Sequence, residues 1–556
     1  MNELFLNSLI ALLIFTPFGV YFTETNKNTL YYYTKSLIFG IILISFIAIL
    51  INFFYPLTQV INSSLIIISI LIIIFKWKHF YKLEFVFFII LGSLLISILI
   101  FESNVYRPDA GLYHLPFIGI LNSEKIIIGL SNLHFRYGHT SIIQYTSAIS
   151  NNSLLGNNGI VYAQALIAIG VLINFVSQIY FYNKEKKYNL HFFFLLFVFI
   201  YFFYKMNRYS EYGNDAPAHF LVFFLISEII LNKNLIRTNN FLNNLILTFF
   251  IIMNKPTLML ITLINLINIR KIDFKEILVE KKTYLLIIFF SIAIIKNILI
   301  SGCMIYPLKA TCFNELSWVD MESIEKVSID SEAWTKGISD LSKEKRDKFI
   351  NEYEFINKFN WLNAWSIKHL KYILEILLPY IIFCSLLIIF LKHKSLKKNY
   401  KSEIKLKQIT FILFFCTLIW FYKSPLYRYG YSYIISLFSI IFSYIIMKYN
   451  FNIKKIYVSS LLILMIGFSV IVSKNFLRIY NTPNNYKNYP WPKYFSMTND
   501  NNKNEYRKIK INNRDIFVPI ENYCMYIKKT CTQYSINPNL DIKKLLNYEV
   551  IYLKKD

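Results

Sequence analysis

The chain has 556 residues, of which 55% are hydrophobic, 18% aromatic and only 17% charged, and its lysines and arginines exceed its acids by 59 to 33, a net charge of +26. Soluble proteins average about 25% charged residues, and the apolar residues here fall in runs of about 17–25 with almost no charge, the length of a bilayer-crossing helix. A soluble enzyme, a fibrous protein and a disordered chain are thereby excluded. The composition predicts an all-α, polytopic membrane protein. Because the basic residues collect in short loops between apolar runs, the charge reads as membrane sidedness rather than as a nucleic-acid surface.

In chain order, spans are predicted at 4–22, 36–54, 60–75 and 83–101, followed by a first large loop at 102–158. Further spans fall at 160–182, 190–204 and 216–231. The stretch 241–269 holds two short apolar halves broken at Asn254-Lys255-Pro256, readable as two crossings or as a re-entrant hairpin. Spans at 284–300, 372–391, 409–421, 431–447 and 456–472 complete a set of about 13–14. The predicted organisation is 1–101 N-terminal spans, 102–158 first external loop with surface helices, 159–300 central spans, 301–371 external loop, 372–472 C-terminal spans and 473–556 external tail. Apolar stretches at 117–121 and 126–130 are too short to span and are expected to lie along the bilayer surface.

Basic loops at 76–82, 184–187, 233–237, 270–282, 392–407 and 448–455 are expected on the cytoplasmic side. Met1-Asn2-Glu3 lacks a basic n-region, so the first span is expected to be an anchor with an external N-terminus rather than a cleaved signal. Four of the six cysteines form two close pairs, Cys303 with Cys312 and Cys524 with Cys531, both in segments the charge rule places outside. Neither pair has metal-site spacing, so two disulfides in an oxidising compartment are expected, a periplasm bounded by an inner membrane. Cys384 and Cys416 lie within spans and read as packing residues.

The candidate chemistry lies in the outer loops. The first contains Arg107-Pro108-Asp109-Ala110-Gly111-Leu112-Tyr113-His114, where Pro108 ends a helix, Gly111 permits a tight turn, and Asp109 is placed to act as general base for a hydroxyl acceptor. The same loop gathers His134, Arg136 and His139. The two histidines are five apart, which suits no regular helix face, so the cluster reads as polar lining or phosphate contacts, with metal coordination the lesser alternative. A second loop carries Arg208, Glu211 and Asp215. Asp215 is expected to cap the following helix or, if it or Glu211 faces Asp109, to share acid and base duties or a divalent cation with it. Three cations could meet an anion: Lys255 in its broken stretch, Lys296 in the outer half of a span, and Arg428 among tyrosines, the best phosphate clamp of the three. Phosphate-binding glycine loops, dinucleotide fingerprints and nucleophile elbows are absent.

These features together resemble the GT-C superfamily of integral-membrane glycosyltransferases, in which an acidic residue in the first large external loop is followed by surface helices. The nearest likeness is to a branch of bacterial multi-spanning proteins. It rests on Asp109-Ala110-Gly111-Leu112-Tyr113-His114, on Ser301-Gly302-Cys303 with Tyr306-Pro307, on Pro425 to Arg428, and on the terminal cysteine pair. The resemblance implies sugar transfer from a polyprenyl-phosphate donor to a glycan, lipid or protein acceptor on the external face. Asp109 would be the base, with Arg428 and Lys296 holding the donor phosphate. The chain departs from better-known members in carrying about four spans before the acidic loop and in lacking a Glu beside Asp109. An O-antigen polymerase or ligase and a transporter of envelope glycolipid are the alternatives, although no internal repeat favours a transporter.

Overall fold

The computed structural model describes residues 2–23, 29–100, 109–139, 141–206, 212–232, 238–269, 273–346, 351–396, 404–481, 506–512, 514–520, 523–533 and 535–554. Counting helices of seven residues or more, the first group is α1 (Asn2–Phe15), α2 (Thr29–Phe54), α3 (Gln59–Phe75) and α4 (Leu83–Leu99). The first large loop contributes α5 (Leu115–Ser123) and α6 (Ile142–Ile149). A central group follows: α7 (Tyr162–Glu185), α8 (Leu190–Lys205), α9 (Asp215–Leu231), α10 (Thr238–Asn254), α11 (Leu263–Ile269) and α12 (Lys281–Ser301). The external helix α13 (Met321–Thr335) precedes α14 (Lys371–Leu391), α15 (Ile404–Lys423), α16 (Tyr427–Met447) and α17 (Ile453–Asn481).

Eight helices among the described residues are long and apolar enough to cross a membrane. The other expected spans fold as shorter apolar helices such as α3, α4 and α8. At 1.5 Å per residue, 17 residues cover about 25 Å of a core about 30 Å thick, the short end of the range for a bilayer-crossing helix. Helix α8 is apolar on every side and accordingly central: Leu190 through Phe202 are all buried. Helices α3, α4, α12 and α14 instead turn large side chains outward, including Phe75, Phe87, Phe290 and Ile389. Exposed apolar surface on that scale suits lipid rather than water.

The broken stretch is a hairpin. Helix α10 ends at Asn254, Pro256 supplies no backbone donor to continue it, and a 3-10 turn at Pro256–Thr262 leads into α11. Asn265 Nδ2 donates to Thr248 Oγ1 at 2.8 Å, so the second limb runs back beside the first.

The bundle has two chemically different ends. At one, Glu3 meets Asn158 (3.2 Å), Leu57 pairs with Leu121 (2.8 Å), and Gly129 donates to Leu299 O (2.7 Å). At the other, Tyr33 reaches His79 O (2.7 Å), Asn183 meets Ser460 (2.9 Å), and strand β1 (Lys392–Leu396) pairs with β2 (Tyr449–Phe451). The basic loops at 76–82, 184–187, 392–396 and 448–455 therefore share the second end; residues 233–237, 270–272 and 397–403 lie outside the described residues. A buried pair, Lys35 with Glu228 at 2.6 Å, joins α2 to α9 near that end, and Tyr31 donates to the same carboxylate at 2.7 Å.

One expectation needs correction. The stretches expected on the bilayer surface are covered by protein. Residues Leu115 through Asn122 of α5 are buried, and 126–128 is an extended segment whose Ile128 pairs with Val550. The tail, for which no secondary structure was expected, continues α17 as far as Asn481 and, among the described residues beyond it, forms two hairpins, β3 (Tyr506–Ile511) with β4 (Arg514–Pro519) and β5 (Leu540–Leu545) with β6 (Tyr548–Leu553). Both expected disulfides are present, Cys303–Cys312 and Cys524–Cys531, while Cys384 and Cys416 are buried free thiols.

Candidate functional site

Asp109 opens a helical segment that widens at once into a π-turn, Ala110–His114, before tightening into α5. Such turns recur at functional sites because the extra residue re-aims side chains. Gly111 was expected to make a tight turn, but its role is close approach. Its carbonyl accepts from Met525 N at 3.0 Å, and a Cβ there would lie 2.6 Å from Met525 Sδ. Gly119, on the same face, would place a Cβ 2.0 Å from Ile527 O. The second disulfide loop thus seats against the segment that carries Asp109, joined by Tyr526 OH to Asn122 Oδ1 (3.0 Å) and Tyr137 OH to Cys531 O (2.6 Å).

Four separated segments meet in front of Asp109. Arg136, in the turn Phe135–Tyr137, places Nη1 2.5 Å from Asp109 Oδ1, and its guanidinium lies 5.1 Å over the Tyr113 ring. Arg428, at the start of α16, lies 3.9 Å from Asp109 Oδ2 and 3.7 Å from Asp215 Oδ2. Its guanidinium is 5.2 Å over Trp334 of α13 and 5.2 Å over Tyr429. Lys255, at the hairpin apex, pairs with Asp215 Oδ1 and sits 3.9 Å over the Tyr429 ring. The result is an alternating row, Arg136–Asp109–Arg428–Asp215–Lys255, with one net positive charge. Exposure is greatest at its centre, where the Arg428 side chain is 45% accessible, and least at Lys255, at 7%.

Asparagines and one histidine hold the row in place. Asn214 Nδ2 donates to Asn254 O at 2.6 Å, and Asn254 Oδ1 accepts from Ile143 N at 2.9 Å, fixing the hairpin apex against α9 and α6. His219, one turn beyond Asp215, donates from Nε2 to Arg428 O (2.8 Å) and accepts at Nδ1 from Ser432 (2.7 Å), while its ring stacks on Tyr431 at 3.8 Å. Asp215 does open α9, but the preceding Asn214 is the cap position, and the Asp215 carboxylate is engaged by Lys255 and Arg428 rather than by the helix end.

The other candidates divide. His114 lies beside the row: Gln144 Oε1 accepts from Ser141 N (3.1 Å), so its Nε2 donates to His114 Nδ1 (2.6 Å), which leaves the imidazole proton on Nε2. Burial pushes His114 down to about 4, so it is neutral at pH 7. His134 is not in the row. Its Nδ1 accepts from Arg136 N at 3.1 Å, and burial, with Arg136 nearby, takes it to about 3, which removes it as a cationic phosphate contact. Lys296 is likewise apart, buried on α12 with its ammonium 5.8 Å over the Tyr145 ring. Arg107, Arg208 and Glu211 lie outside the described residues. A cation shared by Asp109 and Asp215 does not fit, because Arg428 lies within ion-pair distance of both acids and would repel it. Among the described residues, no three His, Cys, Asp or Glu side chains group together. Sequence reasoning noticed Lys255 without assigning it, and missed His219 and Tyr429. A histidine four residues after Asp215 in an apolar run was the available signal.

A family model described as Domain of unknown function (DUF8201) matches residues 1–435. No curated protein and no solved structure matches the chain.

Proposed function

The chain belongs to the DUF8201 family, and we propose that it is a membrane glycosyltransferase of the GT-C type, moving a sugar from a polyprenyl-phosphate donor to a hydroxyl acceptor at the end of the bundle that bears Asp109. The carrying observation is the position of Arg428 between two carboxylates. At 3.7 and 3.9 Å it pairs with both acids but lies beyond hydrogen-bonding distance of either. It is also the most exposed cation of the row, so a phosphate that offers it a bidentate grip can take it over.

Arrival of that phosphate loosens Asp109 Oδ2, while Oδ1 remains held by Arg136. Asp109 then accepts the proton of the acceptor hydroxyl as its oxygen bonds to the anomeric carbon. The bond from that carbon to the phosphate oxygen breaks with its electron pair, and the charge left on polyprenyl phosphate falls to Arg428. Asp215, tied to the nearly buried Lys255, orients Arg428 and keeps its own charge, so the two acids have unequal roles. In this reading the shorter helices also cross the bilayer, the site faces the periplasm, and the basic loops face the cytoplasm.

The test is Asp109→Asn in membranes supplied with a radiolabelled polyprenyl-phosphate sugar. Transfer is expected to fall about 10²–10⁴-fold, the usual contribution of a positioned base, with membrane insertion unchanged. Full transfer by the variant removes Asp109 as the base and this mechanism with it.

A further inference from the structure

A cleft of about 330 Å³, at the small end of the 300–1,000 Å³ typical of ligand sites, opens beside the turn that carries Arg136. One wall is a face of α13, with Asp320, which caps the helix by accepting from Glu322 N and Ser323 Oγ, just before it, and Ser323 and Asp330 following at spacings of three and seven. The lining also includes Phe135 and His134 of the first loop, Tyr306, and Asn537 and Leu553 of the tail. Tyr306 lies in the loop closed by the Cys303–Cys312 disulfide, which limits how far that part of the lining can move.

The charge of this cleft runs against the rest of the molecule. Asp320 and Asp330 outnumber Lys326, and His134 is neutral, so the lining carries one net negative charge in a chain of +26. That disfavours a phosphate and so separates the cleft from the donor headgroup. A carboxylate such as that of Asp330, which accepts hydroxyl donors, in a lining that also holds aromatic side chains suits an uncharged polyhydroxylated ring. The cleft is also coupled to the charged row twice over. Phe135 lines it while the next residue pairs with Asp109, and α13 supplies its wall while Trp334 on the same helix stacks on Arg428.

We infer that this cleft binds an uncharged saccharide unit of the acceptor, holding it next to the charged row. The inference rests on the transfer reading above, but its test does not need transfer. The full-length protein in detergent is titrated with the methyl glycosides of glucose, galactose, mannose and N-acetylglucosamine, using saturation-transfer NMR, with glucosamine as a cationic control. At least one neutral glycoside is expected to bind, roughly tenfold more weakly to Asp330→Asn and not at all to Ser323→Trp, which fills the cleft. Asp109→Asn is expected to bind it normally while failing to transfer. Absence of glycoside binding, binding unchanged in both cleft variants, or binding of glucosamine alone would overturn the inference. Glycoside binding without any transfer by the native protein would leave the cleft standing and remove the transfer reading instead.

Discussion

Arg428 carries more of the site than either acid does, because among the described residues it is the one within ion-pair distance of both. Its planar guanidinium can face Asp109 through Nη1 and Asp215 through Nε, a fork that a lysine ammonium has no means of reproducing. Replacement by lysine keeps the charge and loses the geometry; replacement by alanine loses both and leaves Asp109 to Arg136 and Asp215 to Lys255. On the transfer reading, Arg428→Ala should raise the KM for the polyprenyl-phosphate donor roughly 10–100-fold, the scale of one charge-assisted contact, and Arg428→Lys should fall between. Steady-state kinetics at varied donor concentration reads this directly. An unchanged KM in Arg428→Ala would take the phosphate away from this residue. Its neighbours explain why the sequence hinted at the residue but not at the row. Arg428 stood out among tyrosines at a helix end, and Asp109 stood out beside a proline. Their meeting depends on how α9, α10 and α16 pack, which no local pattern encodes.

Elements were more legible than contacts. The apolar runs located the spans closely: the run read at 190–204 folds as Leu190–Lys205, and that at 216–231 as Asp215–Leu231. Pro256 announced the break in the 241–269 stretch. Its hairpin form waited on the Asn265–Thr248 bond. The tail was the least legible part. Tyr526 bonds Asn122 across 404 positions, and Gly111 and Gly119 are small because that distant segment presses on them rather than because a turn requires it. This gives the seat of Asp109 a sharp dependence on one glycine. In Gly119→Ala the new Cβ would sit 2.0 Å from Ile527 O, a backbone atom that a side-chain rotation cannot move aside. Overpacking of this kind costs about 1–3 kcal/mol, so a lowered midpoint of thermal unfolding in detergent is expected. Gly213→Ala is the control, since its nearest neighbour would be His114 Nε2 at an ordinary 3.8 Å. Equal midpoints for the two variants would mean that the tail does not brace α5.

At the scale of the whole molecule, charge and redox chemistry divide the bundle the same way. The described basic loops share one end; both disulfides, the N-terminal helix start and the charged row share the other. Lysine-rich loops favour the cytoplasm and disulfides favour an oxidising compartment, and these two preferences are independent; the proposal that the row faces outward rests on their agreement. The native cysteines make the orientation simple to test, because four are bonded and two are buried. Leu154→Cys places a thiol at a 53% exposed position at the end of the bundle that bears the row, and Trp77→Cys places one at a 61% exposed position in a basic loop. In intact cells, a membrane-impermeant maleimide given access to the outer face of the inner membrane should label the first variant and spare the second until that membrane is permeabilised. The opposite pattern would turn Asp109 and Arg428 toward the cytoplasm. An acceptor outside the inner membrane would then have no route to the base, and the outward transfer proposed for this chain would fail whatever the chemistry of the row.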